Sequence, residues 1–206
     1  MNYSHICHQL AIKYMYEYFG DEEYYIQKVL NVLSTITDLN KNIKFYSSNG
    51  MSVVIVNNKS AYQVYFKEFT YNKVKNYSNL LKECNETYSL IKPIKYLDNL
   101  KTIVWPRIRP FNIMNIDEQY NLLTKNKNKL FNSIQTALKT LELKGMSHGD
   151  SRLDNIGITT DNNIVLFDYD GSSMRPDYNE DLCKFQKSYT FNLSTIKEQI
   201  KLLNVY

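Results

Sequence analysis

One short polar segment contains the side chains of this sequence that are best suited to chemistry. Asp150 and Asn155 stand five residues apart within H-G-D-S-R-L-D-N, and Asp168 follows after two short apolar runs. Phosphoryl transfer needs a carboxylate that orients the accepting hydroxyl, together with an amide and a second carboxylate that hold magnesium against the phosphates. These three residues supply such groups in this order, so we interpret the segment as a centre for phosphoryl transfer.

The runs on either side of a polar turn predict how these side chains come together. Ile156–Ile158 and Ile164–Phe167 are short and apolar, and the turn-like sequence Asp161-Asn162-Asn163 lies between them. This pattern predicts a β-hairpin. The hairpin would return Asp168 to the side of Asn155.

Helices are expected on both sides of the polar segment. Apolar residues at helical spacing predict one long helix that Asp117 caps, that ends near Leu143, and that Gly145 terminates in the left-handed conformation. After the segment, the pattern predicts one helix over 179–188 and another over 193–203.

The order of these features resembles the protein-kinase-like superfamily, including its aminoglycoside- and choline-phosphotransferase branch. The shared pattern is a helix, G-x-x-H-G-D-x-x-x-x-N, a hairpin and an aspartate. The resemblance implies that Asp150 is the catalytic base and that Asn155 and Asp168 bind Mg²⁺. It also implies that His148 is the structural histidine of the loop and that Asp170 assists at the metal.

A second motif near the end of the chain supports the same resemblance. The sequence N-E-D-L-C-K-F-Q-K-S is similar to the D-L-A-K-L-x-x-S of choline-kinase-like and capsule-associated phosphotransferases. By this resemblance, Asp181 would brace the catalytic loop from the following helix. An acidic residue at a helix N-terminus is also favoured by the helix dipole alone.

A small sheet is expected before the polar segment. The runs Ile43–Tyr46, Met51–Val56 and Tyr62–Phe69 are β-rich and are joined by turn-like sequences. Such a pattern predicts an antiparallel meander. The runs Tyr96–Leu97 and Thr102–Trp105 predict two further strands.

By the resemblance, the third strand carries the lysine that grips the phosphates. Lys67 in V-Y-F-K stands in the place of the lysine in V-A-I-K. A helical pattern over 74–91 follows, and one of its glutamates would pair with Lys67. Glu83 and Glu86 both qualify, and we favour Glu86.

The first turn of the sheet stands where protein kinases carry a glycine-rich lid over the nucleotide. It reads S-S-N-G-M-S and has one glycine instead of the G-x-G-x-x-G of protein kinases. Backbone amides can still bind phosphate groups in such a turn, as an anion-binding nest does. We therefore expect Ser48, Asn49 and Gly50 to contact the nucleotide.

The resemblance implies an α+β, protein-kinase-like bilobal fold with a reduced C-lobe. Helical patterns over 3–18 and 21–36 open the chain, and Pro106 and Pro110 predict a stiff connector. Because of its position between the lobes, the backbone of Trp105–Arg109 would bind the edge of the adenine ring of ATP. We expect a helical extension, a sheet-containing N-lobe and a mainly helical C-lobe over residues 1–40, 41–105 and 106–206.

The acceptor is expected to be a hydroxyl of a small molecule. His-Gly-Asp replaces the His-Arg-Asp of protein kinases, and no A-P-E anchor follows Asp168. The resemblance therefore implies an ATP- and Mg²⁺-dependent kinase of the small-molecule type. Two alternatives stay open, namely an atypical Ser/Thr protein kinase, and a pseudokinase that engages a protein partner through the N-terminal helices.

Composition excludes several other classes of protein. The chain has 206 residues, is 43% hydrophobic and carries a net charge of +4, which allows a sizeable core and does not indicate a nucleic-acid partner. Its three cysteines are far apart and fit neither a disulfide framework nor a zinc site. No signal peptide opens it, and no apolar run approaches the roughly 18 residues of a membrane span. We expect a cytoplasmic protein without membrane contacts.

Overall fold

The computed structural model describes residues 3–19, 23–37, 43–48, 51–84 and 88–203. The chain divides into two compact units, each formed from two stretches of sequence. The first unit comprises Met1–Ser78 and Lys92–Arg107, and the second comprises Asn79–Ile91 and Ile108–Tyr206. The three domains expected from the sequence remain a prediction.

Two helices of the first unit pack on one face of its sheet. They are α1 (Tyr3–Phe19) and α2 (Glu23–Thr35), which confirms the helical patterns at these positions. Their apolar residues recur at helical spacing and are buried against strand residues. The resulting core contains Cys7, Ala11, Met15, Val29, Val32, Leu33, Val53, Ile55 and Val64.

The sheet of the first unit has five strands that are antiparallel to their neighbours. Their order in the sheet is β1-β2-β3-β5-β4. Helix α3 (Glu68–Lys82) follows the third strand. The strands are β1 (Lys44–Ser48), β2 (Ser52–Val56), β3 (Ser60–Tyr65), β4 (Lys95–Leu97) and β5 (Thr102–Pro106).

The region after β3 differs from its prediction. The third strand was expected to reach Phe69, but it ends at Tyr65, because the Lys67 carbonyl accepts a hydrogen bond from Tyr71 N and begins the helix. Helix α3 therefore starts earlier than the predicted helix over 74–91.

Helix α3 also ends earlier than predicted, because the following backbone pairs elsewhere. Leu166 N donates to Ser89 O at 2.9 Å, and Ile91 N donates to Leu166 O at 3.3 Å. Backbone groups that form this bridge cannot continue an α-helix.

The helices of the second unit include α4 (Ile116–Leu123), α5 (Lys127–Leu143) and α6 (Tyr178–Leu203). The prediction of one long helix capped by Asp117 is wrong in two respects. Asn115 caps α4 in a reciprocal capping box with Glu118, and the helical ladder breaks where Asn126 N bonds to Asn121 O. The predicted end of α5 is confirmed, since Gly145 has a φ of +71°.

Helix α6 is continuous over 26 residues, whereas two helices were predicted. The predicted gap falls at residues 189–192, where polar side chains bond within the helix. Thr190 Oγ1 donates to Gln186 O at 3.0 Å, and Asn192 Nδ2 donates to Ser188 O at 2.8 Å. Each bond reaches back one turn, so the helix continues.

A second antiparallel sheet has the order β6-β7-β8. The expected connector is largely strand, because β5 ends at Pro106 and β6 begins at Ile108. The predicted hairpin is confirmed, and so is the mixed α+β class with a small antiparallel sheet. None of the helices in the described ranges is long and apolar enough to cross a membrane. The strands are β6 (Ile108–Pro110), β7 (Ile156–Thr159) and β8 (Ile164–Leu166).

Candidate active site

The loop that contains Asp150 packs directly against the turn that follows β8. Gly149 has a φ of +81°, and a Cβ atom at this position would lie 2.3 Å from Gly171 O. Only glycine fits such a conformation and such a close approach. One residue before His148, Ser147 forms an antiparallel bridge with Ser173, in which Ser147 N donates to Ser173 O at 3.0 Å.

Asp181 of α6 binds the backbone of this loop. Its carboxylate accepts hydrogen bonds from His148 N at 2.7 Å and from Gly149 N at 2.9 Å. The Ser151 hydroxyl donates to the Asp181 carbonyl at 2.5 Å. Asp181 is 2% exposed, so these donors replace the water that a carboxylate would otherwise bind.

His148 connects the loop to the strand end that precedes Asp168. Its ring is buried, its Nε2 lies 2.9 Å from Phe167 O, and its Nδ1 lies 3.3 Å from Asp150 N. Since Asp150 N–H can only donate, Nδ1 accepts and Nε2 carries the proton. Burial lowers the pKa of His148, against the opposing effect of the Phe167 carbonyl, and the ring is therefore neutral at pH 7.

The carboxylate of Asp150 is held by two neighbours. Arg152 donates Nε–H to Oδ1 at 2.7 Å and Nη2–H to Oδ2 at 3.0 Å, and Asn155 Nδ2 donates to Oδ2 at 3.0 Å. Partial burial acts to raise the pKa of Asp150, but Arg152 and Asn155 outweigh it, so this pKa lies below its ordinary value. Asp150 is therefore ionised and oriented.

The hairpin brings Asn155 and Asp168 to neighbouring backbone positions. Ile156 pairs with Leu166 in register, and Phe167 N donates to Asn155 O at 3.0 Å. Asp168 is the next residue along the chain, so the hairpin returns it to the side of Asn155.

The carboxylate of Asp168 is not fully hydrogen-bonded by the described residues. Its φ is +64°, and its Oδ1 is buried without a hydrogen-bond partner among the residues that the structure describes. Burial raises the pKa of Asp168, although the backbone amide of Asp170 acts in the opposite direction. An anionic oxygen in such a place is unfavourable unless a cation binds it.

The donor atoms of this region fit a magnesium ion. Asn155 uses Nδ2 to bind the Asp150 carbonyl and carboxylate, which leaves Oδ1 of Asn155 as the atom that can bind a cation. Asp170 lies close by in the 3₁₀ turn Tyr169–Gly171. In the described ranges no three His, Cys, Asp or Glu side chains are arranged to hold a metal by themselves. Magnesium commonly uses one or two carboxylates and completes its shell with water and phosphate oxygens.

Arg152 is a candidate functional residue that the sequence reasoning missed. Its side chain is 55% exposed and forms a two-bond pair with Asp150. A planar guanidinium of this kind also binds phosphate oxygens in pairs. The sequence signal that could have identified Arg152 is its position two residues after Asp150 in the loop.

Lys67 does not lie on the third strand as expected. It is exposed in the bend between β3 and α3. Glu83 lies just beyond the end of α3, and its carboxylate is 3.8 Å from Lys144 Nζ. Glu83 is therefore not a residue of α3, and Glu86, the favoured partner of Lys67, lies outside the described residues.

The expected phosphate lid falls mostly outside the described residues. Ser48 is the last residue of β1, whereas Asn49 and Gly50 lie outside the described ranges. In the second unit, by contrast, the structure gathers six of the predicted site residues around one loop and one turn. They are His148, Asp150, Asn155, Asp168, Asp170 and Asp181.

Comparison with known proteins gives neighbours in structure only. No family model and no curated protein matches this chain. A crystal structure of WbdD at 2.2 Å superimposes with a TM-score of 0.46 at 14% identity, covering 72% of this chain and 37% of WbdD. WbdD with the kinase inhibitor LY294002 gives a TM-score of 0.42 at 15% identity, covering 64% and 33%. This chain thus spans about a third of the length of WbdD, and superposition at this level assigns no function to it.

Proposed function

We propose that this chain is an ATP- and Mg²⁺-dependent phosphotransferase whose acceptor is a hydroxyl group. The observation that carries the proposal is the buried Oδ1 of Asp168, which has no hydrogen-bond partner in the described part of the chain. Asp168 neighbours Asn155 across the hairpin, and the amide oxygen of Asn155 takes no part in its bonds to Asp150. The Asp150 carboxylate in the preceding loop is ionised. An amide, a carboxylate and a nearby ionised aspartate are the groups that phosphoryl transfer requires.

The residues that would hold the metal are Asp168 and Asn155, with Asp170 as a further carboxylate. A magnesium ion at this position would neutralise negative charge on the phosphates of ATP. Asp168 is favoured as a ligand because burial disfavours its charged form until a cation is present.

Asp150 would orient the acceptor hydroxyl and take its proton. The low pKa of its carboxyl group makes it a weak base. Phosphoryl transfer depends mostly on positioning and electrostatic stabilisation, so a weak base that is held in place is sufficient to accept the hydroxyl proton. Arg152 would exchange one of its bonds to Asp150 for a phosphate oxygen, which frees a carboxylate oxygen for the hydroxyl.

The finer description of the fold is also a proposal. We infer a protein-kinase-like fold because a five-stranded antiparallel sheet, a helix after the third strand, a braced His-Gly-Asp loop and a hairpin occur in this order. The position of Lys67 beyond the strand means that its expected role at the phosphates requires a contact with the nucleotide from the bend.

A small-molecule acceptor is the favoured class. Gly149 stands where protein kinases carry the arginine that reads a phosphorylated activation segment. The packing of Gly149 against Gly171 leaves no space for any side chain. Appearance of labelled phosphate on a protein would favour the alternative, a protein acceptor.

The experiment is a turnover assay with labelled ATP, Mg²⁺ and a panel of hydroxyl compounds. We expect Asp150→Asn to lower turnover at least about 100-fold, since this is the smallest usual contribution of a positioned base, while ATP still binds. Asp161→Asn is the matched control, because it makes the same change at an exposed position, in the turn between β7 and β8. Full activity of D150N would overturn the assignment of this residue.

A further inference from the structure

Helix α6 holds the loop at two backbone atoms besides those bound by Asp181. Lys184 Nζ donates a hydrogen bond to Gly149 O at 2.7 Å. Leu153 N donates to Ser188 Oγ at 3.1 Å. Asp181, Lys184 and Ser188 are separated by three and then four residues, so they share one face of α6.

The first of these contacts fixes the peptide unit that precedes Asp150. The oxygen of this unit belongs to Gly149 and accepts from Lys184. Its N–H belongs to Asp150 and donates to His148 Nδ1 at 3.3 Å. A planar peptide unit that is held at both ends cannot rotate, so the direction in which the Asp150 side chain leaves the backbone is set.

The second contact fixes the peptide unit that follows Arg152 in the same way. Its oxygen belongs to Arg152 and accepts from Asn155 N at 3.0 Å. Its N–H belongs to Leu153 and donates to Ser188 Oγ. Asp150 and Arg152 therefore lie between two peptide units that are each fixed by two hydrogen bonds. A side chain of α6 makes one of the two bonds to each unit.

We propose that Lys184 and Ser188 are positioning residues, which set the geometry of the Asp150–Arg152 pair through these two peptide units. Their importance for turnover rests on the proposed function, but their effect on the pair does not. Neither side chain belongs to the core face of α6, where Phe185 and Tyr189 pack on Phe131. Replacing either one therefore leaves the packing of the helix in place.

The direct test observes the Nε–H of Arg152 by nitrogen-15 NMR. The chain has four arginines, and the signal that disappears in R152K identifies the one at the pair. We expect Lys184→Met and Ser188→Ala each to speed solvent exchange of this Nε–H about tenfold, because the pair loosens when its backbone support is lost. Lys184→Arg and Ser188→Thr, which keep the donor and the acceptor, restore the slow exchange.

Matched controls lie on the same helix. Lys187→Met and Ser194→Ala make the same chemical changes at exposed positions of α6, and they leave the Arg152 signal unchanged. If K184M and S188A behave like these controls, the positioning role is wrong, whatever their activity.

Turnover provides the second arm. Under the proposed function, K184M and S188A lower kcat about tenfold, since misplaced catalytic groups slow the chemical step, and the KM for ATP changes little. If K184M and S188A loosen the Asp150–Arg152 pair but keep a normal kcat, the hydrogen bonds from α6 are not important for catalysis. Absence of turnover in the unmodified chain would overturn the proposed function, and the NMR result would then decide the positioning role alone.

Discussion

Asp181, which is buried, and Asp168, which is half-buried, differ in how completely their carboxylates are hydrogen-bonded. Asp181 accepts two backbone hydrogen bonds of 2.7 and 2.9 Å and a longer one from the Ser151 hydroxyl. Asp168 has a buried Oδ1 without a partner in the described ranges. A buried carboxylate that the protein satisfies completely serves to hold structure, whereas one that the protein leaves incomplete indicates a site for a cation.

The same contrast extends to the segments around these residues. The loop on Asp181 has its backbone bound on several sides, by α6, by His148 and by the turn at Gly171. The turn at Asp168 combines a left-handed residue with a carboxyl group whose pKa is raised by burial. Incomplete hydrogen bonding thus lies in the turn at Asp168, and the loop that packs against this turn is held at its backbone.

The largest effect on stability is expected from Asp181→Ala. This change leaves the buried amides of His148 and Gly149 without acceptors, and we expect the free energy of unfolding to fall by about 3 kcal/mol. Urea denaturation measures it. Asp161→Ala, at an exposed turn, is the control, and an equal effect of both substitutions would remove the distinction between Asp181 and Asp168.

A smaller loss of stability is expected from Gly149→Ala, and Gly145→Ala is its matched control. Both glycines have a positive φ, but a Cβ at Gly145 meets nothing within 4 Å, whereas at Gly149 it meets the Gly171 backbone. We expect a loss of about 1 kcal/mol for G145A and of about 2 kcal/mol or more for G149A. Equal losses in thermal unfolding would show that the loop and the turn do not pack closely.

The smallest effect is expected from Arg152→Met, and it depends on pH. The pKa of the Asp150 carboxyl is lower in the folded state than its ordinary value of 3.8. The pair with Arg152 therefore stabilises the fold at pH values above 3.8. This stabilisation is lost as the pH falls through the folded-state pKa of Asp150. We expect R152M to cost at most about 1 kcal/mol at pH 7, because the pair is partly exposed. Unfolding curves at pH 7 and pH 3 measure the difference, and an equal or larger cost at pH 3 would contradict the ion pair.

Local spacing was sufficient to predict the part of the site that the hairpin assembles. Asn155 and Asp168 are close in sequence, and a short hairpin has few ways to fold. Lys184 lies 35 residues from Gly149, and its bond depends on how α6 packs, for which the sequence holds no periodic signal.

The errors at element ends have the same origin. Lys67 lies beyond the third strand because its carbonyl accepts a bond from Tyr71 N. Ser89 and Ile91, which were expected to be helical, bond to Leu166 instead. The break before α5 depends on the backbone bond from Asn126 N to Asn121 O, and the continuity of α6 depends on polar side chains that bond to carbonyls one turn earlier. Average helix propensity determines neither choice.

The most direct test of the central claim is the thermal unfolding midpoint of the unmodified chain and of Asp168→Asn, each with and without Mg²⁺ and ATP. We expect the two ligands together to raise the midpoint of the unmodified chain, since a bound ligand stabilises the folded state by mass action. D168N should lose this rise, yet without ligands it should unfold at the same temperature as the unmodified chain or higher, because a buried unpaired charge is removed. A full ligand-induced rise in D168N, or a ligand-free loss as large as that of D181A, would contradict the account.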